Sequence, residues 1–528
     1  MRAADYIKSL FGPPGTPGGE RASYDFDPIS SYFYNRPDKG CQTIDAETTA
    51  DLDLNAVFEK IDRTTSRVGQ QYLYARLRTL RGEDDAAEFD RRTVVFEQDG
   101  PLAERCVKHL GRLAGEDAYD LHRLIFDTPV KVRRIGLVCT LTAIAAVSLL
   151  LAPFYPLLLL LFMAVYAVNL TIHYSNKINI TLYTSAVKQL ATALKTARYL
   201  AAEGVPGAAE AGEPIRRVAE VERRSRVVGT QGDGGNELAA IVWLLFELVK
   251  IAFNIEVILF HRFTGSIAAH RGAIHDLFRF IGETDAAVSV MRLRHDTPTC
   301  RPTFADGKYL EAVQVVHPLI ENCVPNTLKL DGTGLLLTGS NMSGKTTFVR
   351  TLILNALLSE TICTCFAEGF TAPYMRLYTS IRIADDVSEG TSYYLQEVLT
   401  VKRLLEAADR PAPCLFVLDE IFKGTNTTER IAAGKAVLAR LNRGPHIVLA
   451  ATHDIELAKL LRGDGYELHH FREEVADGQL VFDYRLHTGP LTTRNAIRIL
   501  ELYDYPPELI AEALATQEEL LRGRKTPD

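Results

Sequence analysis

The chain is poor in the features that mark secreted, metal-bound or nucleic-acid-coating proteins. Its eight cysteines (Cys41, Cys106, Cys139, Cys300, Cys323, Cys363, Cys365, Cys414) are scattered through 528 residues with no C-x-x-C pair. That spacing indicates neither a zinc site nor a disulfide scaffold, and it fits a reducing compartment. The first twenty residues, MRAADYIKSLFGPPGTPGGE, lack the continuous apolar run of a secretory signal, so the bulk of the chain is expected in the cytoplasm. There is no basic surplus either: 59 Lys and Arg stand against 66 Asp and Glu, a net charge of -7. Any grip on nucleic acid therefore has to come from a local patch. No internal repeat with a period of roughly 20 to 50 residues is visible. What remains is an ordinary globular composition, 47% hydrophobic and 24% charged, in a chain long enough for about two to four domains.

A local absence is sharper. From Ile135 to Asn176 there is no Asp, Glu, Lys or Arg, and the middle reads LVCTLTAIAAVSLLLAPFYPLLLLLFMAVYAVNL, with Pro153 and Pro156 bracketing a short aromatic turn. Each half is about 17 to 20 residues, which as helix spans roughly 25 to 30 Å, near the thickness of a bilayer core. Lys131, Arg133 and Arg134 flank the entry and Lys177 the exit, so the positive-inside rule puts both outer ends in the cytoplasm. The expectation over 131–177 is a two-span membrane hairpin, with a re-entrant hairpin as the next reading and a hairpin buried in a soluble core as the third.

Around it the pattern is helical. Residues 1–40 form a Pro- and Gly-rich leader expected to be poorly ordered. Val57, Ile61, Val68, Tyr72, Leu77 and Leu80 recur at helical spacing, and a second helical stretch runs over 86–125. These make 41–130 the first part of an all-helical domain whose second part is 178–296. Arg216, Arg217, Arg223, Arg224 and Arg226 could meet lipid headgroups or phosphates, but Glu220 and Glu222 interrupt them, and a solvated helix face is the favoured reading. LAAIVWLLFELVKIAFNIEVILFHRF is apolar but broken by Glu247, Lys250 and Glu256, which suits a buried long helix better than a third span.

The strongest chemistry lies in LLLTGSNMSGKTTFVR. Gly339 to Thr346 fits G-x-x-x-x-G-K-[ST] between a strand candidate, Gly334 to Thr338, and a helix candidate beginning at Thr347. The candidate nucleotide-binding residues are Gly339, Ser340, Asn341, Met342, Ser343, Gly344, Lys345, Thr346 and Thr347. Glycines in such a turn let backbone N–H groups converge on a phosphate, Lys345 supplies a cation, and the Thr346 hydroxyl can ligate Mg²⁺. Downstream, CLFVLDE is an apolar strand ending in Asp419 and Glu420. Asp419 would hold Mg²⁺ directly or through water, and Glu420 would orient or deprotonate the attacking water. HIVLAATHD is a further strand that places His453 at the carboxyl end of the sheet, as a γ-phosphate sensor or a structural histidine.

His317-Pro318, VPN, TGSNMSGKTT, DDVSEGTSYYLQEV, LDEIFKGTNTTE and ATHDIEL, in this order and spacing, resemble the MutS family of ATPases. IGETDAAVSV (Ile281 to Val290) looks like that family's last core helix, and QTIDAETTADLDLNAVFEKIDRTTSRVGQQYLYARL like the opening of its helical core. The resemblance implies an α/β P-loop ATPase domain of ABC-like, MutS type over 297–480, preceded by the all-α core or lever domain that carries the transmembrane hairpin. It also implies a C-terminal helical dimerisation segment over 481–528. Lys345, Glu420, His453 and Ser392 become the catalytic set, Ser392 acting on the partner subunit's nucleotide, with ATP and Mg²⁺ as cofactors and a homodimer formed through the ATPase domains. Departures are Ser392-Tyr393-Tyr394 for the usual Ser-Thr-Phe and Gly424-Thr425-Asn426 for the usual Gly-Thr-Ser. The mismatch-reading and connector domains are expected to be absent, and a membrane segment (135–176) to stand where the DNA clamp would be. The leading expectation is a multi-pass, membrane-anchored ATPase with both termini and the ATPase domain cytoplasmic. The alternative is a mismatch-repair or recombination-type protein that binds mismatched or branched DNA in an ATP-dependent way, with the arginine cluster as its support.

Overall fold

Two units interleave along the chain: 1–39, 62–76 and 88–293 form one, and 40–61, 77–87 and 294–528 the other. The computed structural model describes residues 24–36, 42–127, 134–225, 237–339, 343–382, 393–476, 479–490, 497, 500–501 and 505–523.

The first unit is helical. Part of the expected leader is ordered: Phe26–Asn35 is a helix because Asp25 caps it, accepting from Asp27 N, and because Ile29 and Tyr32 fall on one buried face. The stretch over 86–125 is not continuous but divides into Glu83–Gln98, Gly100–Leu110 and short 3₁₀ turns, the second helix starting on an Asp99 cap. Helices Arg67–Arg76 and Ile255–Asp296 pack so closely that a Cβ at Gly282 would lie 2.5 Å from Tyr72 Cβ, and one at Gly69 would lie 2.1 Å from Asp285 Oδ2. At that junction Asp285, fully buried, accepts from Ser66 N (2.7 Å), Ser66 Oγ and Thr65 N (3.0 Å).

The uncharged stretch forms helix Ile135–Leu151, a turn through the two prolines, and the start of helix Leu158–Ala202. Leu158–Lys177, 20 residues of mean hydropathy 1.6, is the one segment among the described residues long and apolar enough to cross a membrane, while Ile135–Leu151 has 17 residues. The two spans expected from sequence thus differ, because the turn around Pro153 ends the first helix early. Leu150, Phe154, Leu157 and Leu160 are more than two-thirds exposed. The expected long buried helix after it is also different: it breaks at Phe253 and Asn254, where Asn254 takes φ 47°, into Glu237–Ala252 and Ile255–Asp296. Leu245, Phe246, Leu248 and Val249 on the shorter piece are exposed. The carbonyls freed by the break are capped from the apolar helices, Ala252 O by Asn169 Nδ2 (2.7 Å) and Phe253 O by Thr142 Oγ1 (3.1 Å).

The second unit is built on a six-stranded sheet in the order His487–Thr488, Tyr466–His470, Gly334–Thr338, Ile447–Thr452, Cys414–Asp419, Arg376–Ser380, parallel except for its first strand. The three central strands are almost wholly buried, as strands of a parallel sheet covered on both faces are. Phe416, Leu418, Val448 and Ala450 meet Leu404, Leu438 and Leu457 from helices Tyr393–Ala408, Thr427–Leu441 and Ile455–Leu461. A second sheet orders Pro302–Phe304, Gly369–Ala372, Tyr309–Val315 and Asn326–Asp331. Residues 40–61, read from their helical period as part of the lever, belong to this unit instead. Their polar side chains extend the edge strand: Gln42 brackets Leu377 (2.7 and 3.0 Å), and Asp51 accepts from Ile381 N and Arg382 N (3.1 and 2.7 Å).

Candidate functional site

Strand Gly334–Thr338 runs into a turn that re-enters the fold as helix Lys345–Ile362. Gly339 (φ 150°) and Gly344 (φ 100°) take conformations closed to other residues, and a Cβ on Gly339 would sit 2.9 Å from Phe471 O. The helix therefore begins at the carboxyl end of the sheet, and a helix N-terminus is the arrangement that favours an anion. Lys345 lies in the first turn, buried, with Nζ donating to Gly339 O at 2.7 Å. Burial holds its pKa below the ordinary lysine value, against the pull of Asp419 and Glu420. Ser343 is buried beside Gly339, and Thr347 sits in the first helical turn, its carbonyl accepting from Thr351 Oγ1. Ser340, Asn341, Met342 and Ser392 lie outside the described residues.

Across Ile447–Thr452 in the sheet from Gly334–Thr338, Asp419 ends strand Cys414–Asp419. Its Oδ2 accepts from Thr346 Oγ1, while Oδ1 is buried with no donor on it among the described residues. Burial raises the Asp419 pKa, and the Thr346 hydroxyl opposes that. A hydroxyl and a carboxylate presenting an unshared buried oxygen are the hard oxygen donors that suit Mg²⁺. Glu420 follows in the left-handed region (φ 55°) and is gripped from both sides, Oε1 3.1 Å from His453 Nδ1 and Oε2 3.0 Å from Lys423 Nζ. The hydrogen bond from His453 is the main reason its pKa falls to about 2, and the same bond raises His453. His453 follows the end of strand Ile447–Thr452, and the next residue, Asp454, takes a two-point contact from Arg430 at 2.9 Å on each oxygen.

The fold thus brings together Gly339, Ser343, Gly344, Lys345, Thr346, Thr347, Asp419, Glu420 and His453 at one end of the sheet. Sequence reasoning gave no role to Lys423, Glu397, Arg430 or Asn326. Asn326 closes a strand-to-loop clasp, with Nδ2 donating to Tyr484 O (2.9 Å) and Oδ1 accepting from Leu486 N (2.8 Å), and the Tyr484 ring lies 3.3 Å from where a Cβ on Gly344 would be. Asn326 and Glu397 stand inside the quoted VPN and GTSYYLQEV motifs, which was the available signal. Lys423 follows Glu420 by three residues, but its contact depends on a left-handed turn that no local pattern announces.

Comparison with known proteins gives the same family. Residues 335–521 match the family MutS domain V. The chain is 28% identical over 293 residues to the DNA mismatch repair protein MutS of Listeria welshimeri, covering 53% of this chain and 34% of that protein. It is 29% identical over 315 residues to the same-named protein of Oceanobacillus iheyensis, covering 57% and 35%. For that of Natronomonas pharaonis the identity is 30% over 298 residues, covering 53% and 34%. The match spans about a third of the length of these relatives. Residues 335–521 match MutS domain V and about half of the chain is similar to these relatives, findings that support membership of the MutS family.

Proposed function

We propose that this chain is a membrane-anchored, dimeric MutS-like ATPase, in which a P-loop domain of ABC-like architecture hydrolyses Mg·ATP and drives a conformational switch. The observation that carries the reading is the convergence of Lys345, Thr346, Asp419, Glu420 and His453 at the carboxyl end of parallel strands. Helix Lys345–Ile362 offers its N-terminus to the phosphates and Lys345 adds a cation. Thr346 and Asp419 would hold Mg²⁺, which when bound neutralises charge on the phosphates. Glu420, kept ionised by His453 and Lys423, orients the attacking water. A carboxylate held at a pKa of about 2 is a poor proton acceptor, so it becomes a better base only when those two cations let go. Ser392 reaches the partner subunit's nucleotide, and 481–528 braces the dimer.

The apolar helices anchor the protein, with both termini and the ATPase domain on the cytoplasmic side. Support comes from the uncharged run 135–176 and from Leu158–Lys177, of which only 17% is buried. A second reading, binding of mismatched or branched DNA, is favoured by the relatives, which are named DNA mismatch repair protein. Its sequence support is weakened by the pairing of Arg216 and Arg217 with Glu213 on one helix, the pattern of a solvated face.

The deciding experiment is ATP hydrolysis by the detergent-solubilised chain, alone and with mismatched duplex, branched DNA or anionic liposomes. Glu420→Gln is expected to lower kcat by about 100-fold or more while nucleotide still binds. Stimulation by liposomes alone supports the membrane reading. Salt-sensitive binding and stimulation by DNA would overturn it in favour of the repair-type function. Hydrolysis that is indifferent to Glu420→Gln would sink the ATPase assignment itself.

A further inference from the structure

The segment that follows Glu420 is held in an unusual shape. Glu420 and Phe422 take φ of 55° and 60°, conformations that side chains other than glycine adopt only when their surroundings impose them. The imposing group is on helix Tyr393–Ala408. Glu397, wholly buried, accepts from Lys423 N through Oε1 at 3.2 Å, and its Oε2 has no hydrogen-bond partner among the described residues. One turn earlier on that helix, Tyr394 presses on the loop so tightly that a Cβ at Gly424 would lie 2.9 Å from Tyr394 Cβ. Lys423, whose backbone Glu397 fixes, is the residue whose Nζ holds Glu420 Oε2.

We propose that Glu397 is a positioning residue: by binding the backbone of the 422–424 turn it sets the place of Lys423, and through it the orientation of Glu420 toward His453. The inference rests on the ATPase reading above for its consequence in turnover, although the clamp itself is a matter of geometry. A carboxyl buried on one helix is the device that favours the strained turn, because it supplies the buried acceptor for Lys423 N.

The test uses the full chain in detergent with Glu397→Ala and Glu397→Gln beside wild type. The Ala variant is expected to lose at least about tenfold in kcat with KM for ATP within about threefold, the signature of a misplaced catalytic group rather than lost ground-state binding. The Gln variant keeps an acceptor for Lys423 N but loses the negative charge, so an intermediate loss is expected. The readout that a merely structural role would not move is the titration of His453, followed by NMR on histidine-labelled protein. Its midpoint is expected to drop toward the ordinary value as the contact with Glu420 loosens, at unchanged secondary structure. Wild-type kcat and an unmoved His453 midpoint in a folded variant would overturn the proposal, and the Gln variant decides should the Ala variant not fold. Absence of Glu420-dependent hydrolysis in the wild type would instead count against the ATPase reading, while the His453 midpoint would still judge the clamp.

Discussion

Glu420 and His453 are coupled in opposite senses, and that coupling has a pH signature. The histidine pKa is raised above 6.5 chiefly by its hydrogen bond to Glu420, so what this contact adds to stability is complete below that value and is lost as pH rises through the raised one. The carboxylate is lowered from 4.5 to about 2, so its share is complete above 4.5 and is lost as pH falls through about 2. The pair is therefore whole between about pH 4.5 and 6.5. The thermal midpoint of wild type minus that of His453→Ala is expected to be largest in that window and to shrink toward pH 8 and above. A difference that grows with alkalinity would mean that the histidine is not held by Glu420. The members of this site that sequence exposed, Lys345, Thr346, Asp419, Glu420 and His453, each end or follow an apolar strand in a short motif, so chain-local pattern suffices to find them. Lys423, Glu397 and Arg430 act through turns and helices brought alongside by the fold, and no spacing rule links Glu397 to an amide 26 residues later.

Elements tell a similar story about what periodicity can and cannot carry. Buried parallel strands such as Cys414–Asp419 and Ile447–Thr452 were legible because a continuous apolar run between polar boundaries has few other uses. The break at Phe253 and Asn254 was not, since neither a glycine nor a proline marks it and the supporting bonds come from Thr142 and Asn169, more than 80 residues away. Likewise the helical period over 54–61 is real, but period says nothing about which unit an element joins; Gln42 and Asp51 decide that by pairing with backbone of the edge strand. The junction of Arg67–Arg76 with Ile255–Asp296 gives a stringent check. A methyl at Gly69 would fall 2.1 Å from Asp285 Oδ2 and displace a carboxylate that holds Ser66 and Thr65. Gly69→Ala is expected to cost about 2 to 4 kcal/mol from overpacking and orphaned amides, seen as a fall in thermal midpoint of about 5 °C or more. Gly265→Ala, in the same long helix with nothing within 4 Å of the new Cβ, is the control and is expected to be neutral or to stabilise by up to about 1 kcal/mol.

For the molecule as a whole, the contrast lies between polar chemistry in one unit and an unpaid apolar surface on the other. Leu150, Phe154, Leu157 and Leu160, all more than two-thirds exposed, lie within a run of 42 residues without a charge, and exposed apolar residues gathered in one stretch mark an interaction surface. Hydrogen bonds from Thr142 and Asn169 to freed carbonyls are the kind of polar contact that joins helices where water is excluded. A bilayer is the occupant we propose for this surface. The full chain is therefore expected to float with lipid in a density gradient and to resist carbonate extraction. Leu150→Glu together with Leu160→Glu would place two charges in the hydrocarbon at a cost of roughly 2.5 to 3.5 kcal/mol each on an insertion scale, and should shift much of the protein to the soluble or aggregated fraction while ATP hydrolysis per folded molecule persists. Wild-type chain that stays in the supernatant without detergent, as a monodisperse species, would show that another protein surface covers these helices and would remove the membrane from the proposal.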